Sequence, residues 1–151
     1  MQTVLLVLLS VAITIALLWA YFTAQRLNRL HIRTDAALQS LQAALDRRAA
    51  IAAVLIPDIA AQAHAAEQVP LVYDHFAQRI EKERPISAAI AQFGEQPPAP
   101  LADAEVRLRL AHRFYNEAVS DTRALRTRPL VRLTRLGGRA QLPAYFEYTE
   151  C

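Results

Sequence analysis

The chain has 151 residues, enough for one small domain, and 54% of them are hydrophobic whereas only three are glycine. The net charge of +3 is too small to indicate a nucleic-acid partner, and a single cysteine excludes an intramolecular disulfide framework. Glycine is rare, and valine and isoleucine, which favour strands, are infrequent after the first two dozen positions. The composition therefore favours helix over sheet. We predict an all-α fold.

An uncharged run follows a three-residue tail (1–3) and covers residues 4–22; we name it the apolar segment. As a helix it would extend roughly 29 Å, about the thickness of the hydrocarbon core of a bilayer. Trp19, Tyr21 and Phe22 lie at its end, where aromatic rings favour the headgroup level. The pattern predicts a transmembrane helix over residues 4–23 and the lipid bilayer as a partner.

A cleaved signal peptide is the alternative interpretation of this start. It would need a basic residue before the apolar run and small residues before a cleavage point. Neither is present, so we predict an uncleaved single-pass anchor. Basic residues follow the segment and none precedes it, which predicts that the C-terminal side lies in the cytoplasm. These basic residues are Arg26, Arg29 and Arg33.

Residues 24–128 are predicted to form a helical bundle, with its first helix over about 24–66. The inward positions of this helix recur at alternating spacings of four and three, which is typical of a helix that packs along one stripe. Pro57 predicts a kink, because proline removes a backbone hydrogen bond and crowds the preceding turn. The stripe consists of Leu27, His31, Thr34, Leu38, Leu41, Leu45, Arg48, Ala52, Leu55 and Ile59.

Two further helices are predicted over about 71–93 and 101–127, and the proline-rich linker between them, 96–100, is predicted to be non-helical. Pro85 demands a kink or a break in the second helix, and Gly94 is placed to end it as a left-handed cap. The stripe of the second helix is Val72, Phe76, Arg79, Glu83, Ile86, Ile90 and Phe93, and that of the third is Leu101, Ala104, Leu108, Ala111, Tyr115, Ala118, Thr122 and Leu125.

Residues 129–151 form a basic C-terminal tail, since no acid occurs between Asp121 and Glu147. The arginines alternate with leucines, so this segment could be a solvated face, contact an acidic protein or lie on anionic lipid. Three helices that alternate in direction would leave it far from the membrane, unless the tail folds back. Nucleic acid is disfavoured because no base-stacking aromatic set accompanies the arginines. The candidate contact residues are Arg128, Arg132, Arg135 and Arg139.

No pattern of catalytic or metal-binding residues is present. The histidines are scattered over three predicted helices without a partner four residues away or a nearby cysteine, and no phosphate loop or nucleophile motif occurs. We therefore predict no metal, no cofactor and no enzymatic activity. The histidines are His31, His64, His75 and His112.

Residues 113–119 (Arg-Phe-Tyr-Asn-Glu-Ala-Val) resemble the most recognisable segment of the LemA family of bacterial membrane-anchored helical proteins. Residues 45–48 (Leu-Asp-Arg-Arg) are similar to a basic step in that family's first long helix, and residues 143–147 (Pro-Ala-Tyr-Phe-Glu) to its C-terminal ending. The resemblance implies an outward N-terminus, one span of the inner membrane, an antiparallel bundle of three or four helices and no established catalytic activity. It singles out Arg47, Arg48, Arg113, Phe114, Tyr115, Asn116, Glu117, Asp121, Tyr145, Phe146 and Glu147.

The chain also departs from the family pattern. Ala50 and Ala53 occupy the places of an acid and a proline, residues 55–58 (Leu-Ile-Pro-Asp) come about a turn late, and residues 62–100 do not align. We therefore predict a divergent member.

The family-like residues are expected to act mainly in packing. Arg48 lies on an inner stripe and would need a carboxylate partner if buried, for which Glu117 and Asp121 are the candidates. Asn116 or Arg113 could form a hydrogen bond across helices. The leading interpretation is a membrane-anchored helical scaffold that engages a protein partner. The alternative is a membrane-shaping or envelope-stress bundle whose basic tail binds anionic lipid. Both interpretations are compatible with a homo-oligomer.

Overall fold

The computed structural model describes residues 1–94, 96–134 and 141–148. These ranges are helical with extended connections and contain no strand, which confirms the all-α prediction. The helices are α1 (Gln2–Leu55), α2 (Ala60–Glu67), α3 (Phe76–Ala91), α4 (Ala99–Arg126) and α5 (Pro129–Leu133), and two 3-10 turns cover Pro57–Ile59 and Tyr73–His75.

Helix α1 contains 54 residues, and its first part is the apolar segment. By length and composition this helix could cross a membrane, and no residue of its most apolar stretch is buried in the bundle. The first buried side chain along α1 is Leu27. Helix α1 therefore has an exposed apolar part, followed by a part that packs against the other helices of the bundle.

The predicted rod over 24–66 is broken rather than kinked at Pro57. Helix α1 ends at Leu55, and Ile56 has φ −129° and ψ 81°, outside the helical region. The cause is local, because the ring of a proline disfavours the α conformation of the residue before it. The chain then turns back, and alanines of α2 pack on alanines of α1. The buried residues of this contact include Ala49, Ala52, Ala63 and Ala66.

Helix α3 begins at Phe76, five residues later than predicted, and runs through Pro85 without a break. Pro85 and Glu81 are both exposed, so the carbonyl that loses its helical partner is open to water. Gly94 follows the helix with φ +60° and donates its amide to the carbonyl of Ala91, as predicted for a left-handed cap.

Helix α4 matches its prediction closely, and all eight predicted stripe positions are buried. It starts at Ala99, inside the linker predicted to be non-helical, because Pro100 occupies its first turn, where no amide donor is needed.

Helix α4 runs antiparallel to α1, and three cross-helix contacts define the register. Arg48 contacts Glu105 and Thr34 contacts Thr122, while Leu27 clusters with Leu125. Because α2 forms a separate pass, the chain makes four passes rather than three. The C-terminal end of α4 therefore lies beside the apolar segment, not at the far end as predicted. We call this end of the bundle, which includes Leu27, Leu125 and α5, the basal end.

The predicted basic tail divides into two parts. Helix α5 packs at the basal end through Val131. Residues 141–148 then return in an extended conformation along α4, and Phe146 is fully buried in the main core. Arg135, Arg139 and Cys151 lie outside the described residues.

Candidate functional site

The three segments that resemble the LemA family lie far apart in the sequence but meet in space. Arg48, from the first segment, donates a hydrogen bond to the hydroxyl of Tyr148, directly after the last segment. Tyr115, from the middle segment, donates to the carbonyl of Ala144 in the last, over 2.6 Å. The family-like residues thus assemble around the returning C-terminal residues.

A buried ion network forms the centre of this region. The guanidinium of Arg48 donates to Glu83 over 2.7 Å, to Glu105 over 3.0 Å and to the hydroxyl of Ser87 over 3.1 Å. Arg48 is 1% exposed and Glu83 is fully buried. A buried charge is tolerated only when it is paired and hydrogen-bonded, so these contacts hold α1, α3 and α4 in one arrangement.

A second buried arginine shares the same carboxylate. Arg79 donates to Glu83 over 2.9 Å, to Asp46 over 2.7 Å and to the carbonyl of Val69 over 2.9 Å. Each oxygen of Glu83 therefore accepts from a different arginine. Through Asp46 and Val69 the network also ties α1 to the connection between α2 and α3.

The network keeps Arg48 charged. Burial opposes that charge, but the neighbouring Tyr148, Glu83 and Glu105 outweigh burial and hold the pKa of Arg48 above its ordinary value. Burial raises the pKa of the Tyr148 hydroxyl, and the nearby Arg48 and the hydrogen bond to Ser87 oppose that rise without cancelling it. At neutral pH the hydroxyl of Tyr148 is therefore protonated, and it accepts a hydrogen bond from the cationic Arg48.

The predicted partners of Arg48, Glu117 and Asp121, are wrong, although its predicted position on an inner stripe agrees with its burial. Asp121 binds Arg33 over 3.0 Å at the surface, and Glu117 binds Arg113 of its own helix over 2.9 Å. Both carboxylates lie nearer the basal end than Arg48, since α4 runs antiparallel to α1.

Asn116 binds the returning chain rather than another helix. Its side-chain oxygen accepts from the amide of Phe146 over 3.1 Å, and its amide group donates to the carbonyl of the same residue over 3.3 Å. Nε2 of His112 also lies 2.6 Å from this carbonyl and 3.0 Å from the side-chain nitrogen of Asn116. These contacts satisfy the backbone of a buried extended residue and dock Phe146 in the core.

The remaining family-like residues face outward. Those on the surface are Arg47, Arg113, Phe114, Glu117, Asp121, Tyr145 and Glu147. Of these, Tyr145 lies beneath the guanidinium of Arg123, 5.2 Å from it. The exposed residues are not gathered into one site.

An open cleft of about 330 Å³ lies beside the network, and its lining includes Arg48, Ser87, Glu105, Tyr148 and Arg109. The first four groups already bond to one another, and Ser87 and Tyr148 share a hydrogen bond of 2.7 Å. Most of their polar atoms are therefore engaged in holding the fold, and the buried Nε of Arg48 is the exception among them.

In the described ranges, no three His, Cys, Asp or Glu side chains are arranged to hold a metal ion. The four histidines have separate environments. His64 lies 3.4 Å from Glu67, and His112 contacts the returning chain. His75 is exposed and His31 is half-buried.

The basal end is strongly basic. Residues 1–34 and 122–134, the described residues on either side of this end, contain seven arginines and no acid. Arg123 donates to the carbonyl of Pro143, and Arg33 is paired with Asp121. Four arginines of this end are exposed and form no salt bridge within the described ranges: Arg26, Arg29, Arg128 and Arg132.

A groove of about 300 Å³ lies at the basal end, between α1 and the start of α5. Trp19, Thr23 and Arg26 line it from α1, and Arg128 and Leu130 line it from the other side. We call it the basal groove. It brings together the end of the apolar segment and the first residues of the basic tail.

Sequence reasoning missed most of the ion network. Arg79 and Glu83 stand four residues apart on the predicted inner stripe of the second helix. Charges at inward positions with that spacing were a signal of a buried pair. Glu105, Ser87 and Tyr148 carried no such signal, because their roles depend on how the helices and the returning segment dock.

No protein-family model, curated protein or solved structure matches this chain. The LemA resemblance therefore stays a prediction.

Proposed function

We propose that this protein is a LemA-like, single-pass membrane protein whose helical bundle rests on an anionic membrane surface through its basal end, with no chemistry of its own. In this proposal the apolar segment crosses the bacterial inner membrane and the bundle lies in the cytoplasm, as the arginines that follow the segment favour.

The supporting observation is the position of the unpaired arginines beside the apolar segment. Arg128 and Arg132 belong to the same end of the bundle as Arg26 and Arg29, which follow that segment directly. Exposed Leu130 lies between Arg128 and Arg132, and exposed Leu133 follows Arg132, as in segments that bind at a membrane interface. This arrangement supports lipid as the partner more strongly than it supports an acidic protein.

Flotation with vesicles tests the proposal. Residues 24–151 are first checked for helical content by circular dichroism, and their flotation is then compared on neutral and anionic vesicles. We expect salt-sensitive flotation on anionic vesicles only, strongly reduced by R128Q/R132Q. The charge-matched control, R47Q/R109Q, changes two exposed arginines of the far half and should bind as the unmodified protein does. An equal loss of flotation in R128Q/R132Q and in R47Q/R109Q would contradict the proposal.

A protein partner is the second candidate function, and the outer face of α4 supports it. Val106, Leu110 and Phe114 stand four residues apart there and are 46%, 49% and 54% exposed. A photo-crosslinker at Leu110 of the full chain, in its native membrane, should capture one partner when the products are identified by mass spectrometry. The same group at exposed Gln39 is the control, and identical products from both positions would exclude a specific contact.

A further inference from the structure

The basal groove has two walls of different origin. One wall is the last turn of the apolar segment with Trp19, continued by Arg26 about two turns later. The other is the start of α5, with Arg128 and Leu130. A cation and a large apolar side chain thus face the groove from each side, which matches a ligand that is anionic at one end and apolar at the other.

The charge of the groove is not offset nearby. The first acid along α1 is Asp35, nine residues after Arg26 and therefore roughly 14 Å away along the helix. That separation exceeds the Debye length of about 8 Å at physiological ionic strength. The nearest acid on α4, Asp121, already binds Arg33. An anion in the groove would meet the two arginines without competing carboxylates.

The groove also lies at the depth of lipid headgroups if the apolar segment crosses the membrane. Aromatic residues such as Trp19 favour the interface, and arginines one or two turns further reach the phosphate level. Leu130, on the opposite wall, is 60% exposed. A lipid would cover it with the glycerol region or the start of an acyl chain.

We propose that the basal groove binds one anionic phospholipid, with Arg26 and Arg128 on the headgroup phosphate and with Trp19 and Leu130 against the glycerol and acyl region. Arginine suits this role because its planar fork of N–H donors matches phosphate oxygens. This inference rests on the proposed membrane function but is more specific, since it assigns a discrete site rather than a diffuse attraction.

Trp19 is the only tryptophan of the chain, so its fluorescence reports on the groove directly. The full chain is reconstituted in phosphatidylcholine nanodiscs that contain a minor fraction of phosphatidylglycerol with brominated acyl chains, which quench tryptophan on contact. We expect the quenching to correspond to about a fivefold enrichment of phosphatidylglycerol around Trp19 over its bulk fraction, given the attraction of basic residues to an anionic leaflet.

Variants of equal charge separate a site from a diffuse field. R26Q and R128Q should each reduce the enrichment to nearly one. R29Q and R132Q remove the same charge from exposed arginines of the basal end that lie outside the groove. These two variants should keep most of the enrichment of phosphatidylglycerol. R26K and R128K retain the charge without the planar fork of N–H donors. Their enrichment should lie between that of the glutamine variants inside the groove and that of the variants outside it. Circular dichroism of each variant verifies the fold.

Each other outcome has a definite meaning. Equal loss in all four glutamine variants would overturn the groove and leave the proposed function standing. Enrichment that survives in all four would also overturn the groove. No enrichment in the unmodified protein would overturn both proposals. Replacing chloride by inorganic phosphate at equal ionic strength should change nothing, and displacement of the lipid by phosphate would assign the groove to a free anion instead.

Discussion

Arg48 and Glu83 form a salt bridge of 2.7 Å in which both side chains are almost completely shielded from water. Removing one partner of such a pair leaves a buried charge without compensation. We expect Arg48→Ala to lower the free energy of unfolding by about 3–5 kcal/mol, measured by urea denaturation of the full chain in mild detergent. Arg47→Ala, at the adjacent exposed position, should change it by less than about 0.5 kcal/mol. Equal effects at both positions would refute the role assigned to the network.

Thr34 and Thr122 join α1 and α4 through hydroxyls that lie 2.9 Å apart in the core. Thr34→Val removes the hydroxyl that faces Thr122 and leaves a buried polar group without that partner, so it should cost about 1–2 kcal/mol. Thr122→Val should cost less, because the Thr34 hydroxyl still donates to the carbonyl of Leu30 over 2.9 Å. The double change removes both polar groups, so it should cost less than the sum of the single changes. Thermal denaturation of the four proteins in this cycle provides the test, and strict additivity would contradict the contact.

Asn116 holds Phe146 through both its oxygen and its amide group. Asn116→Asp keeps the size but removes the donor, so we expect residues 141–148 to detach from α4 more often. Hydrogen exchange at the Phe146 amide should become at least tenfold faster while exchange within α4 stays nearly constant. Asn28→Asp, on the exposed face of α1, is the matched control. Unchanged exchange at Phe146 would show that the tail is held by other contacts.

Two tyrosines, the buried Tyr115 and the half-buried Tyr148, predict a loss of stability in alkali. Burial raises the pKa of Tyr115, with Tyr73 adding to it, and burial likewise raises the pKa of Tyr148. The folded state therefore retains these protons better than the unfolded chain, whose tyrosines titrate near pH 10. Their contribution is complete below pH about 10 and is lost as the pH rises towards the folded values.

Urea denaturation at a series of pH values from 8 to above 11 checks this expectation. The free energy of unfolding should fall by up to about 1.4 kcal/mol per pH unit for each tyrosine above pH 10. Tyr115→Phe loses the hydrogen bond to Ala144 and should be less stable at pH 8, but its decline above pH 10 should be shallower. A slope that is identical with and without Tyr115 would exclude this tyrosine as a cause.

Gly94 ends α3 with φ +60°, and no atom lies within 4 Å of the position where a Cβ would be placed. The cost of Gly94→Ala is therefore conformational alone, and we expect about 1–2 kcal/mol by urea denaturation. Gly94→Asn should cost less, because asparagine tolerates this conformation better. A larger loss with asparagine than with alanine would indicate a steric cause instead.

The inward face of α4 was predictable because helical periodicity alone determines which side chains share a face. Leu101, Leu108, Tyr115 and Leu125 are buried as predicted, at successive spacings of seven, seven and ten residues that return to the same face of a helix. The partner of a buried charge is not contained in that pattern. Arg48 was correctly assigned to an inner stripe, but its carboxylates come from α3 and the opposite half of α4.

The position of the basic tail depended on one backbone break that the sequence left ambiguous. A proline within a helical pattern can bend a helix or end it, and local preference does not decide between the two. At Pro57 the packing of small alanine side chains between α1 and α2 favours reversal. At Pro85 the helix continues, because the exposed backbone there is open to water.

The reversal at Pro57 also determines how this architecture can vary in length. Helices α2 and α3 form a hairpin that begins and ends at the far side of the bundle, so deleting or duplicating that hairpin would leave α4 running in the same direction. Adding or removing a single helix would instead turn the arginines of α5 away from the apolar segment. Relatives of this chain should therefore gain or lose helices here in pairs.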